Sequence, residues 1–242
     1  MKRICVKCGY RHEYKARFSG DAFGHIGCPS CDGEMVRERP ILFNTEMVRA
    51  ILEGRKTQTR RSMKGNWFDF IGEDDFGVTM LDPELREHYI KFPLGIIGDR
   101  LWVRESWVEL VSFYDEDGVF CPSEGKVFYK ADGKPDFVLL DDNECELEDQ
   151  NVKWKPSIHM PYSACRIHLE ITNVRIERLQ DISEEDAIAE GFRAGDHLYC
   201  HGIKTKSANE DFAFVWDSIY EKSGNSYCSN PWVWVYEFKR VD

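Results

Sequence analysis

Two Cys-x2-Cys pairs, Cys5 with Cys8 and Cys28 with Cys31, stand nineteen residues apart near the amino end of this 242-residue chain. Each pair can turn two thiolates onto one ion, and two such pairs close a tetrahedral shell. The surrounding segment is rich in Gly, His and charged residues and has little apolar periodicity, so it has few means of building a core of its own. The spacing therefore predicts a small zinc ribbon over residues 1–38, with a structural rather than catalytic zinc because four sulfurs leave no open position. Gly9, Gly27 and Gly33 beside the pairs suit the tight turns of such a ribbon, and His12 and His25 are alternative ligands in the same segment.

The chain has nine cysteines, an odd number, and its amino end, MKRICVKCGYRH, lacks the apolar stretch of a secretion signal. Metal ligands and free thiols are expected in place of disulfides, in a cytoplasmic setting. Cys121, Cys145, Cys165, Cys200 and Cys228 show no ligand spacing and read as packing residues or exposed thiols, and Cys200-His201 near His197 as a loop cluster. No run of eighteen apolar residues is present, which argues against a membrane span.

Beyond residue 38 the pattern changes to that of one larger α+β unit over 39–242. Ile41, Leu42 and Phe43 read as a short strand, Thr45 as an N-cap, and Met47, Val48, Ile51 and Leu52 as one helical face ended by Gly54. Residues 65–95 and 112–152, rich in Asp, Glu and Gly, read as insertions. DRLWVRESW between them alternates as a strand. CRIHLEITNVRIERL changes phase at Thr172-Asn173, as a bulge requires, and PWVWVYEFKRV is the clearest strand. Ser183 to Asp186 has capping-box spacing, and Phe212, Val215, Trp216 and Ile219 form an i, i+3, i+4, i+7 stripe. Strands dominate with helices between them, which predicts a β-rich α+β barrel.

The formal net charge is −11, which disfavours coating long nucleic acid because that mode requires many neutralised phosphates. Against this background GRKTQTRR, residues 54–61, packs Arg55, Lys56, Arg60 and Arg61 around Thr57 and Thr59. It reads either as a solvated helix end, favoured by the macrodipole, or as a site for an anionic or polar ligand. Of seven tryptophans most are expected in the core, with Trp107, Trp154 or Trp234 as a stacking platform for a base.

ILEGRKTQTRR, IGDRLWVRESW, LQDISEEDAIAEGF and WVWVYEFKRV together resemble the ASCH domain, a PUA-like β-barrel, and KPSIHMP resembles the long form frequent in phages and prophages. The resemblance covers about residues 40 to 242; GRKT-x-T-x-R is its most specific block, and the ribbon lies outside the usual domain. It implies a cleft that binds RNA, DNA or a modified nucleotide, with Arg55, Thr57, Arg60, Arg61 and Trp107 as candidate ligand contacts; a separate alternative is an adaptor in which the zinc ribbon docks a protein partner and the barrel supports it. A small ASCH subgroup about half this length hydrolyses the acetyl amide of acetylated cytidine with a Lys, a Thr and a Glu, which fall here on Lys56, Thr59 and Glu190. The resemblance thus implies a possible amidohydrolase, with Thr59 as nucleophile, Lys56 as its base and Glu190 orienting the lysine or receiving the amine. The structural alternative is a Lys56–Glu190 salt bridge between two helices, with Thr59 as a cap.

Overall fold

The computed structural model describes residues 2–5, 7–8, 11–13, 28, 30–32, 35–63, 71–74, 77–80, 93–114, 120–133, 139–140, 146–147, 153–195 and 204–241. Gly9, Gly27, Gly33, His25, Cys145, His197, Cys200 and His201 lie outside these residues. The strands are β1 (Lys2–Cys5), β2 (Arg11–Glu13), β3 (Met35–Leu42), β4 (Gln58–Ser62), β5 (Ile71–Asp74), β6 (Gly77–Met80), β7 (Arg100–Arg104), β8 (Trp107–Tyr114), β9 (Phe120–Tyr129), β10 (Leu139–Leu140), β11 (Glu146–Leu147), β12 (His168–Arg178) and β13 (Trp232–Val241). Among the described residues three α-helices, α1 (Thr45–Leu52), α2 (Glu184–Ala189) and α3 (Ala208–Tyr220), complete the mixed α+β fold expected from the sequence.

Seven strands form one sheet in the order β2-β1-β3-β7-β12-β13-β4. Only β3 and β7 run parallel; the other neighbours are antiparallel. β3 passes through residues 38 and 39, so β1, which carries Cys5, and β2 continue the main sheet. Within the two acidic segments, β5–β6 and β10–β11 are two-stranded ribbons, and β8 pairs with β9 in a longer hairpin.

β13 explains how the core is built. Trp232, Trp234, Tyr236 and Phe238 point to one face, where they meet Phe43, Val48, Leu101, Leu169 and Ile171. Val233 and Val235 point to the other, beneath Leu179, Phe192, Phe212 and Trp216. A strand covered on both faces has no reason to alternate polar with apolar residues, hence the run WVWVY. The phase change in β12 appears as a register shift between Ile171 and Asn173.

The helices are ended by local chemistry. Ser183 caps α2 by accepting from the Asp186 amide at 3.1 Å, as the sequence spacing predicts. At α1 the cap is Asn44, whose Oδ1 accepts from Met47 N at 2.8 Å; Thr45, expected in that role, is the first helical residue. The difference is one residue, and both types cap well.

Thr57 N donates to Ala189 O and Phe238 N to Thr57 O, both at 2.8 Å, so the loop after α1 is stitched to α2 and to β13. Gly191 makes this approach possible. Its φ is +98°, and a Cβ there would lie 2.9 Å from Ala50 Cβ and 3.3 Å from Lys56 Cβ. Gly191→Ala combines a left-handed backbone with a close contact, so it should destabilise the protein by about 1–3 kcal/mol, measured by denaturant unfolding. An unchanged midpoint would contradict this account of the turn.

Candidate ligand cleft and cysteine cluster

The basic stretch is not a solvated helix end. Gly54, at φ +74°, reverses the chain after α1, and residues 58–62 then run as β4 along β13. Lys56, Thr59 and Arg60 are buried. Thr59, on a strand, pairs with Tyr236 and is not a helix cap.

Lys56 Nζ lies 2.7 Å from Glu190 Oε2, 2.8 Å from Glu190 O and 2.9 Å from Gln58 O. Three acceptors match the three N–H bonds of an ammonium, whereas a neutral amine has only two and a lone pair. Burial pulls the Lys56 pKa down, opposed by the charge and hydrogen bond of Glu190. Glu190 is the C-cap of α2, so the pair joins that helix to the α1–β4 loop.

Arg60 is buried and enclosed by carboxylates. Nε donates to Glu177 Oε1 at 2.9 Å, Nη2 to Glu177 and to Asp186 Oδ2 at 2.7 Å, and Nη1 to Glu190 Oε1 at 3.3 Å. Arg175 extends the network, bonding Glu177 Oε2 at 3.0 Å, Asp186 Oδ2 at 2.8 Å and Glu237. Asp186 titrates below the ordinary Asp value: burial raises it, but the hydrogen bonds from Gln58 and Arg60 and the charges of Arg60 and Arg175 outweigh burial.

Above this floor lies a cleft of about 320 Å³. Its lining includes the polar residues Thr59, Arg60, Arg61 and Glu190 and the aromatic residues Phe192, Phe212, Trp216 and Tyr220, with the Arg60 guanidinium 5.8 Å from the Phe212 ring centre. Consecutive rings contact one another: Phe212 and Trp216 have centroids 5.7 Å apart, and Trp216 and Tyr220 4.3 Å apart. Arg61 Nη1 donates to Thr59 Oγ1 at 2.7 Å and to Arg60 O at 2.9 Å, and its guanidinium lies 5.5 Å from the Phe43 ring centre.

The structure thus brings together Thr59, Arg60, Arg61 and Glu190, with Lys56 directly behind Glu190. Arg60 lies on the cleft, with four of its five N–H bonds directed at Glu177, Asp186 and Glu190. Arg55 points elsewhere, to Glu53 Oε2 at 2.6 Å and Gly191 O at 2.7 Å, and Thr57 has an exposed side chain and a structural backbone. Trp107 is not a cleft residue: it is buried with Met160 and Ala164, with Lys155 Nζ 4.7 Å above its ring. Phe212, Val215, Trp216 and Ile219, whose spacing reads as one helix face, all line the cleft, as does Tyr220 one turn beyond Trp216.

The four paired cysteines also converge. Their sulfurs all lie within 4.8 Å of one another, the only such metal-capable group among the described residues. Cys5 and Cys31 sulfurs are 3.5 Å apart, and those of Cys8 and Cys28 3.6 Å. A tetrahedral four-thiolate zinc site has sulfur–sulfur edges of about 3.8 Å, so the donor set fits. Burial raises the Cys5 thiol, but the backbone amides of Cys8 and Lys7 and the neighbouring thiols hold it at about 6. Cys165 and Cys228, by contrast, are free thiols outside this group.

No protein-family model matches the chain, and no curated protein matches it. Among solved structures it is similar to a DUF984 protein of Enterococcus faecalis V583, at 13% identity over 88% of this chain and 84% of that one, with a TM-score of 0.37. It is also similar to an ASCH domain of Lactobacillus crispatus JV V101, at 14% identity over 84% of this chain and 79% of that one, with a TM-score of 0.35. These likenesses carry no residue role or ligand across, and the site is read from its own geometry.

The floor makes a definite prediction for stability. Glu190→Ala strands the Lys56 charge in a buried position and should cost about 3–5 kcal/mol. Because Lys56→Met removes the charge that Glu190 answers, Lys56→Met combined with Glu190→Gln should lose less than the sum of the two single losses. Denaturant unfolding of the set measures this, and strict additivity would show that the pair is not coupled.

Proposed function

We propose that the cleft binds a planar, base-sized ligand, the base of a modified nucleotide or nucleoside, stacked against the aromatic wall of α3. The observation that carries this reading is that Phe212, Trp216 and Tyr220 line the same cleft of about 320 Å³ as Thr59 and Glu190. Flat rings favour a flat ligand by stacking, while a few fixed polar groups read its edge. The net charge of −11 and the enclosed Arg60 favour a single nucleotide or a short segment over a long strand. Tyr220→Ala should weaken binding of acetylated cytidine or cytidine by roughly tenfold or more, read by calorimetric titration. Wild-type protein that binds neither compound would overturn the reading.

A second reading, removal of an acyl group from such a base, is favoured by the presence of Thr59 and Glu190 on the same cleft. Thr59 Oγ1 would attack the acyl carbonyl, and the C–N bond would break with the amine of the base leaving and taking up the proton lost by Thr59. Water would then cleave the acyl–threonine ester to release acetate. The Thr59 proton needs a base, and Lys56 as a three-acceptor ammonium has no lone pair to offer, so the Lys56 proton must first pass to Glu190 across 2.7 Å. In the same titration, acetate release from acetylated cytidine distinguishes the two readings. Thr59→Val should abolish release even at saturating ligand, and wild-type release no greater than that of Thr59→Val would leave the cleft as a recognition site only.

We further propose that Cys5, Cys8, Cys28 and Cys31 hold one structural zinc, a reading supported by their mutual spacing. Elemental analysis should give one zinc per chain, with Cys28→Ser lowering it. Zinc content near zero in protein prepared without chelator would refute the assignment.

A further inference from the structure

The cations around the cleft differ in how they are answered. Lys56 is paired with Glu190, Arg60 with Glu177, Asp186 and Glu190, Arg55 with Glu53, and Arg175 with three carboxylates. Arg61 is different. Its hydrogen-bond partners are the Thr59 hydroxyl, the Arg60 carbonyl and, at 3.3 Å, the Leu42 carbonyl, all of them neutral. Among the described residues no carboxylate lies within ion-pair distance of it.

A guanidinium carries five N–H bonds. Arg61 uses two at Nη1 and one at Nη2, so five minus three leaves two, the Nε–H among them. The side chain is only half-buried and lines the cleft beside Thr59. Three fixed acceptors and the Phe43 ring hold it in place, so little side-chain freedom would be lost when it meets a ligand.

We infer that the ligand of the cleft carries one anionic group, a carboxylate or a phosphate, which pairs with the two remaining N–H bonds of Arg61 while its ring system stacks on the α3 wall. The inference rests on the cleft reading above and specifies its ligand class. Arg60 contributes no comparable contact, because a second anion there would face Glu177, Asp186 and Glu190. One charge is accommodated at the rim of the cleft, and a second has no cation to meet.

Calorimetric titration with two matched pairs tests this: uracil against orotate, which adds a carboxylate, and cytidine against cytidine 5′-monophosphate, which adds a phosphate. In wild-type protein at least one anionic member should bind about tenfold or more tighter than its neutral partner, and which pair responds identifies the anion. The preference should shrink as salt is raised, disappear in Arg61→Gln and persist in part in Arg61→Lys, which keeps the charge but not the planar fork. Equal affinity within both pairs in the wild type overturns the inference while leaving the cleft reading intact. A preference that survives in folded Arg61→Gln overturns it by placing the anion elsewhere. If none of the four compounds binds but acetylated cytidine does, the inference falls and the cleft reading stands; if acetylated cytidine fails as well, both fall. The wild-type comparison and Arg61→Lys decide the matter even if Arg61→Gln fails to fold.

Discussion

The buried contact between Lys56 and Glu190 organises everything around the cleft. Removing two charges from water is costly, and the cost is offset only where each is fully answered. Here the lysine has three acceptors, and the carboxylate has a second cation in Arg60. Meeting those demands fixes the C-terminus of α2 against the α1–β4 loop and, through Glu177 and Asp186, against β12. Gly191 follows from the same constraint, since the chain leaving Glu190 must pass Ala50 and Lys56 at a distance that admits no side chain.

That anchoring places one helix in two roles. α3 buries Phe212 and Trp216 above Val233 and Val235 of β13, and the same rings extend to the edge of the cleft, where Tyr220 is only partly covered. Its N-terminus is fixed by α2: Glu184 accepts from the Ala208 amide at 2.7 Å and from the Asn209 amide at 3.2 Å. The aromatic wall and the ionic floor are therefore held by opposite ends of α2, Glu184 at one and Glu190 at the other. A ligand would meet a preformed surface and would have little ordering to impose.

Several elements were legible in the sequence because their signals are local. The paired cysteines, the Ser183 cap, the β12 irregularity and the apolar run of β13 each follow from spacing or covalent geometry, and the structure has all four. The environment of the basic stretch was not legible. Four cations in eight residues look alike in one dimension, and only the approach of Glu177, Asp186 and Glu190 from elements more than a hundred residues later separates the enclosed Arg60 from Arg61. Trp107 illustrates the same limit: a tryptophan that fills a small apolar cluster and one that lines a cleft have the same local sequence signature. The α3 stripe was recognised as a helix face, but the extension of that face beyond the core depends on where α2 places it.

The central claim is that a flat ligand lies between the α3 wall and the Thr59–Arg61 edge. Nuclear magnetic resonance titration of the full-length, zinc-supplemented protein with cytidine 5′-monophosphate tests it residue by residue. The account predicts saturable shifts at Thr59, Arg61, Tyr220 and the Trp216 indole N–H, which donates to Asn225 O at 2.8 Å, with Trp107 and the strands β1 and β2 beside the cysteines unmoved. Shifts confined to those strands or to the Trp107 cluster, or no saturable shift at all, would contradict it.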